Sequence, residues 1–314
     1  MQTELRKADA ASIAAAAKAL RRGALVAFPT ETVYGLGANA TDDAAVAGIF
    51  AAKGRPKFNP LIVHVRDYEH AAQHGDFPTL ARDLAAAFWP GPLTLVVPRK
   101  ERCGLSLLVS AGLDTVAMRA PSHPIAQHLL IESKLAIAAP SANPSGRLSA
   151  TSARDVADAL DGEVDLILDG GICPVGIEST VVGFDGETAI LLRPGAIARS
   201  ELEPITGALQ SPQQGHIASP GMLESHYAPN ARLRLDAKHA KKTEAFLTFG
   251  PNPPEADIAL NLSPTGNTRE AAANLFAMLR KLDTKSQAIA VMPIPDEGLG
   301  EAINDRLRRA AAPR

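Results

Sequence analysis

Aromatic residues are scarce in this chain: one Trp, three Tyr and nine Phe, 4% of 314 residues. Proteins that grip single-stranded nucleic acid stack bases on aromatic rings, so this scarcity counts against that class. No charge of either sign dominates. Lys and Arg total 32 against 34 for Asp and Glu, a net charge of −2, which argues against bulk attraction to nucleic acid or an anionic membrane and leaves only a local basic patch. No run approaches the ~18 uninterrupted apolar residues of a membrane span, and no secretory-type apolar segment opens the chain. The expectation is a soluble, cytoplasmic protein with no membrane partner. The two cysteines, Cys103 and Cys173, have no Cys or His nearby at metal-ligand spacing and read as reduced, buried thiols. The sequence also lacks a G-x-x-x-x-G-K-[ST] phosphate loop, a G-x-S-x-G elbow and an H-E-x-x-H motif. A nucleotide, if bound, would sit in an unusual cradle, and no protein metal ligands are expected.

What is present is an ordinary globular composition, 46% apolar and 21% charged, with a length that suggests two domains at roughly 150 residues each. Residues 9–22 are Ala-rich with an acid first and bases last, a helix aligned with its dipole. Apolar runs at 24–28, 61–65, 94–97, 115–118, 135–139, 166–168, 180–182 and 190–193 read as strands. Helical patterns fall near 42–52, 79–88, 123–133 and 152–160. This alternation predicts an α/β or α+β core over 1–205. Residues 206–230 are rich in Gly, Pro, Ser and Gln without periodicity and read as a linker. A small α/β domain over 231–314 follows, with strands near 244–249, 256–262 and 287–293 and helices at 268–282 and 299–311. In the former, Ala272, Leu275, Phe276 and Leu279 make one apolar face.

Three polar clusters lie at strand ends, where α/β proteins usually hold ligands. The first is Pro29-Thr30-Glu31-Thr32-Val33-Tyr34-Gly35-Leu36-Gly37; alone, it reads as a strand ending in a tight turn. Its continuation to Ala40 mimics a dinucleotide G-x-G-x-x-A fingerprint but lacks the helix start and acidic partner such a site needs. The second, Lys53-Gly54-Arg55-Pro56-Lys57-Phe58-Asn59-Pro60, sets three cations within five positions, suited to a polyphosphate or to plain solvation. His64 follows, on the same strand face as Ile62, where a lone histidine is ordinarily a core residue. The third, Pro140-Ser141-Ala142-Asn143-Pro144-Ser145-Gly146, suits an anion-binding nest or a simple turn. Arg119 and Arg193 end strands with no acidic neighbour in sequence, which points to an anionic ligand.

Taken in order, these clusters resemble the YrdC-type threonylcarbamoyl-AMP synthases. The matching text runs from 29–37 through Lys53-Gly54-Arg55-Pro56, Asn59-Pro60-Leu61 and His64-Val65. It continues with Pro90-Gly91-Pro92-Leu93-Thr94, Arg119-Ala120-Pro121, Ser141-Ala142-Asn143, Glu178-Ser179-Thr180-Val181 and Leu192-Arg193-Pro194-Gly195. Ser219-Pro220-Gly221-Met222, His226-Tyr227-Ala228-Pro229, Asn261-Leu262-Ser263-Pro264 and Gly298-Leu299-Gly300-Glu301 extend the likeness to the long, two-domain form. The stretch Leu223-Glu224-Ser225 departs from the more basic and aromatic text expected there.

The resemblance implies a twisted mixed sheet curved around a cationic cavity, with a smaller Rossmann-like C-terminal domain. It implies threonine contacts from Thr32, His64, Arg119, Ala139 and Ser179. It implies ATP contacts from Arg55, Asn59, Thr115, Ser141, Ser149, Arg193 and Tyr227, the last folding back as a lid. Lys53, Arg55, Ser141 and Asn143 would carry catalysis beside the phosphates, with Mg²⁺ arriving on ATP. The implied reaction condenses L-threonine, bicarbonate and ATP to threonylcarbamoyl-AMP and pyrophosphate. The product would pass to a tRNA threonylcarbamoyl-transfer enzyme for N6-threonylcarbamoyladenosine formation, with RNA contact at most weak. Two rival readings are an RNA-binding module and a carbamoyl-adenylate-forming enzyme with another amine or a carbamoyl phosphate donor.

Overall fold

The computed structural model describes residues 2–56, 58–212 and 225–313. Lys57, Ser219-Pro220-Gly221-Met222 and Leu223-Glu224, singled out above, lie outside the described residues. The first strands are β1 (Glu4–Lys7), β2 (Val26–Pro29), β3 (Tyr34–Asn39), β4 (Ile62–His64) and β5 (Leu93–Pro98). They are followed by β6 (Thr115–Arg119), β7 (Ile137–Ala138), β8 (Leu166–Asp169), β9 (Thr180–Asp185) and β10 (Thr188–Arg193). Among the described residues these make one mixed ten-stranded sheet in the order β1-β8-β2-β3-β7-β4-β6-β5-β9-β10. Its helices are α1 (Ala10–Arg21), α2 (Asp43–Lys53), α3 (Tyr68–Ala71), α4 (Thr79–Phe88) and α5 (Leu107–Ser110). Then come α6 (Pro124–Ser133), α7 (Ala153–Leu160) and α8 (Arg199–Thr206). A second sheet, β11 (Arg232–Arg234), β12 (Ala245–Thr248), β13 (Ala259–Asn261) and β14 (Ala288–Val291), is wholly parallel in the order β11-β14-β12-β13. Helices α9 (Thr268–Asp283) and α10 (Gly300–Ala311) complete it.

Local chemistry sets the helix ends. Asp42 caps α2 by accepting from the amides of Ala44 and Ala45, and Gly54 ends it in the left-handed region. Ser152 and Asp155 form a reciprocal capping box on α7, and Asn267 caps α9 through the amides of Arg269 and Glu270. The Ala-rich segment is helix α1 as its composition suggests, with Asp9 bonded to the Ser12 amide.

The expected tight turn over the first polar cluster needs correction. Residues 34–39 are a strand, paired to β2 and β7, and only 30–33 turn. Glycine reads as a turn signal, yet here it permits close sheet packing: a Cβ on Gly37 would lie 2.8 Å from the Phe28 ring and 2.9 Å from Ile137. β1 and β11 were also missed, because ELRK and RLR are polar edge strands without an apolar pattern.

One apolar cluster joins the two sheets. Val33, Leu148 and Ile177 pack with Leu275, Phe276 and Leu279 of α9 and with Ile303 and Leu307 of α10. Gly176 (φ +76°) makes the approach possible, since a Cβ there would lie 2.5 Å from the Ala273 Cα. Ion pairs Arg199–Glu301 at 3.0 Å and Arg280–Asp155 at 3.2 Å flank this contact.

Candidate active site

A narrow cavity opens where several strands of the large sheet end. Its wall takes Thr30, Thr32 and Val33 from the β2–β3 turn, Ile62 and His64 from β4, and Arg119 from the end of β6. Ala139, Pro140 and Ser141 follow β7, Glu178 and Ser179 precede β9, and Arg193 ends β10. Arg55, after α2, and the strap residues His226 and Tyr227 close the remaining side. Residues from eight separate stretches of chain thus meet in one place, and its water-accessible volume is only about 50 Å³.

One half of the cavity is organised by Arg119. Its Nη2 lies 2.6 Å from Glu31 Oε1, its Nη1 donates to Thr32 Oγ1 at 2.9 Å, and its Nε donates to the Gly91 carbonyl at 3.2 Å. Although neither strand-terminal arginine has an acidic neighbour in sequence, the fold supplies one: the β2–β3 turn brings Glu31 to Arg119, and Glu178 lies near Arg193. Burial pushes the Glu31 carboxyl up, but the Arg119 guanidinium outweighs it and holds the carboxyl below its usual range. His64 is buried with Nδ1 lacking a hydrogen-bond partner, and burial with the nearby Arg119 charge lowers its pKa to about 3. It is a neutral imidazole at physiological pH. Ser179 Oγ pairs with Thr94 Oγ1 at 2.8 Å.

The other half is cationic. Arg55 donates to the carbonyls of Asn59 (3.2 Å) and Pro60 (2.9 Å), and burial, then Arg193, lowers its pKa to about 10 although Tyr227 raises it. Arg193 donates from Nη2 to Ser179 O at 2.8 Å and Oγ at 3.1 Å. Tyr227, 1% exposed with φ of 59°, carries a hydroxyl without a hydrogen-bond partner. The strap is tied on both sides: Ala228 N–H donates to Gly146 O at 2.8 Å, and His226 N–H to Arg309 O at 3.2 Å.

Five of the expected contacts do not line this cavity. Lys53 is turned to the backbone: its Nζ donates to Ser141 O at 2.6 Å and to Asn143 O, so it braces the third cluster instead of facing the interior. Asn143 Nδ2 is spent on Pro144 O and Arg147 O. Asn59 is buried with both side-chain polar atoms unpartnered. Thr115 begins β6 on the same face as Arg119 but about 13 Å along the strand. Ser149 sits behind Glu178, donating to its Oε1.

Sequence reading passed over Glu31, Glu178, His226 and Arg306 as individual contributors. Arg306 had a visible signal, an arginine i+3 from Ile303 inside an apolar stripe. The two acids had none, since their partners lie 88 and 128 positions away (119 − 31; 306 − 178). Both cysteines are buried and free, as expected, and burial pushes the Cys173 thiol up to about 12. No helix among the described residues is long and apolar enough to cross a membrane.

Comparison with known proteins agrees with this geometry. The Sua5/YciO/YrdC family model, described as "Telomere recombination", matches residues 18–195, more than half of the chain. A second model, the threonylcarbamoyl-AMP synthase C-terminal domain, matches residues 197–312. Proteins named threonylcarbamoyl-AMP synthase from Pyrococcus abyssi and Bacillus subtilis are 41% and 42% identical, covering 94% and 96% of this chain and 93% of their own lengths. The crystal structure of P. abyssi Sua5 complexed with L-threonine superposes with a TM-score of 0.90 at 39% identity, covering 99% of this chain and 97% of that one. A P. abyssi Sua5 variant with an adjacent histidine and tyrosine replaced by alanine gives 0.89 at 38%, covering 99% and 96%. The chain belongs to the Sua5/YciO/YrdC family and is an enzyme of its long form, the one completed by the threonylcarbamoyl-AMP synthase C-terminal domain.

Proposed function

We propose that this enzyme condenses L-threonine, bicarbonate and ATP to threonylcarbamoyl-AMP and pyrophosphate, and that the product serves N6-threonylcarbamoyladenosine formation in tRNA. The observation that carries the reading is the division of one cavity. A small half built on Arg119, Thr32, His64 and Ser179 suits an amino-acid zwitterion, and a half built on Arg55, Arg193, Ser141 and Tyr227 suits a nucleotide. Arg119 offers its fork to the threonine carboxylate, and the hydroxyls of Thr32 and Ser179 offer bonds to the rest of the amino acid. His64, neutral, adds no charge to repel an ammonium.

In the proposed reaction the threonine amine takes up bicarbonate with loss of water, forming a carbamate. A carbamate oxygen then bonds to the α-phosphorus of ATP as the bond to pyrophosphate breaks. The cavity-lining hydroxyls of Thr30, Thr32 and Ser179 are engaged with other hydroxyls, arginine or backbone, and no thiol lines the cavity. Catalysis is accordingly assigned to positioning and to charge stabilisation by Arg55 and Arg193. Glu178, which lines the cavity, and Glu31, beside it on Arg119, are committed to Arg306 and Arg119, so Mg²⁺ belongs to the nucleotide substrate. A nucleotide needs more room than the closed cavity gives, which requires the strap at 225–229 to swing out and return, excluding water from the labile carbamate.

The product itself is the test. Isotope-labelled bicarbonate should appear in a threonylcarbamoyl-adenylate only when threonine and ATP are both supplied. Label entering an adenylate with another amine would assign a different substrate.

A further inference from the structure

Arg306 heads the largest fully buried side chains among the described residues, 1% exposed, and comes from α10, more than a hundred positions beyond the strand-end clusters. Its Nε donates to Glu178 Oε2 at 2.8 Å, and its Nη1 donates to Pro194 O at 2.9 Å and Asp305 Oδ2 at 2.7 Å. Its guanidinium carbon lies 5.0 Å from the centre of the Tyr227 ring, which also stacks on Phe276 at 5.7 Å. Glu178 in turn accepts from Ser149. One cation thus holds Tyr227 directly, Ser149 through Glu178, and the backbone next to Arg193 through Pro194.

Packing alone does not call for an arginine here. The stripe around it is Ala302, Ile303, Leu307 and Ala310, and an apolar side chain of similar volume would fill the site without the cost of burying a charge. Burial works against the Arg306 charge, yet Tyr227, Glu178 and Asp305 around it more than compensate. Glu178 is also within electrostatic reach of Arg193.

We propose that Arg306 is a positioning residue for the nucleotide half of the site, through which the C-terminal sheet and its helices take part in ATP binding. The inference rests on the synthase reading above. With Arg306 in place, Glu178 is held between Ser149 and α10, and the Tyr227 ring lies against the guanidinium. Without it, Glu178 and Ser149 lose their tie to α10, the Pro194 carbonyl loses its donor, and the Tyr227 ring loses its cation. In the threonine half, Arg119 with Glu31 and Thr32 has none of these links, and Ser179 meets them only through its neighbour Glu178 and Arg193.

The test is steady-state pyrophosphate release by the full chain, varying ATP and threonine separately, for wild type, Arg306→Met, Arg306→Lys and the double variant Arg306→Met/Glu178→Gln. Arg306→Met should raise the KM for ATP by about tenfold or more while the KM for threonine stays within about twofold. Arg306→Lys should recover part of the loss, since an ammonium still pairs with Glu178 but cannot fork to Pro194. The double variant removes the stranded carboxylate together with the cation. It should melt close to wild type and keep the raised KM for ATP. A folded double variant with a wild-type KM for ATP, or an Arg306→Met protein whose two KM values rise together, would overturn the inference. Wild type that releases no threonine-dependent pyrophosphate would instead overturn the synthase reading, and the same assay shows which has failed.

Discussion

Arg119 Nη2 and Glu31 Oε1 lie 2.6 Å apart in a setting where neither side chain is more than 9% exposed. In the proposed reaction, a threonine carboxylate docking on Arg119 would share the guanidinium with a resident carboxylate. The pair gives Arg119 a structural role beside the proposed binding one, because removing it strands a buried charge at a cost of roughly 3–5 kcal/mol.

Arg119→Lys separates these roles. It keeps a cation for Glu31 but loses the fork that also reaches Thr32 and Gly91. The KM for threonine should rise by about tenfold or more with the KM for ATP little changed, while the melting temperature falls less than in Arg119→Ala. Threonine titrations of both variants, paired with thermal melts, check this. An unchanged KM for threonine in Arg119→Lys would contradict the assignment.

Lys53 is expected to matter through the backbone. Its buried amino group, whose pKa is pushed well down by burial and then by Arg55, donates to the carbonyls of Ser141 and Asn143. Lys53→Met should cost roughly 1–3 kcal/mol of unfolding free energy, the scale of buried acceptors left unsatisfied. It should lower kcat/KM for both substrates together. Urea unfolding beside kinetics reads both effects; wild-type stability with loss of ATP binding alone would return Lys53 to the phosphates.

Two buried histidines predict acid sensitivity. His64 and His226 have folded pKa values of about 3 against 6.5 for an unperturbed histidine, burial being the first cause in each. Between those values the unfolded chain binds more protons, so their contribution is whole above pH 6.5 and drains away as pH falls. Each should lose about 1.4 kcal/mol per pH unit, or about 2 kcal/mol by pH 5. His70, His74 and His123 shift in the same direction. Urea midpoints from pH 7.5 to 5 should fall steadily, and a flat profile would show that neither ring is buried uncharged.

Much of this architecture is legible in the sequence because its signals are local. The spacing of Ala272, Leu275, Phe276 and Leu279, capped by Asn267, specifies α9 within a residue of its observed end. Period-2 alternation places Ile62 and His64 on one face, and both line the cavity. What escapes depends on partners distant in the chain. Gly35 and Gly37 look like turn residues until Ala139, Phe28 and Ile137 are seen pressed against them. Lys53 looks like a phosphate ligand until the carbonyls of Ser141 and Asn143, some ninety positions on, are seen to accept its hydrogen bonds. Arg306 was hidden in a helix read only for its apolar stripe.

The most direct test of the central claim is pyrophosphate release from ATP, with threonine and bicarbonate each omitted in turn and Arg55→Ala as the inactive reference. Release that requires both co-substrates, and that falls by about a hundredfold or more in a folded Arg55→Ala protein, is the predicted result. Release indifferent to threonine, or a fully active Arg55→Ala enzyme, would contradict the account.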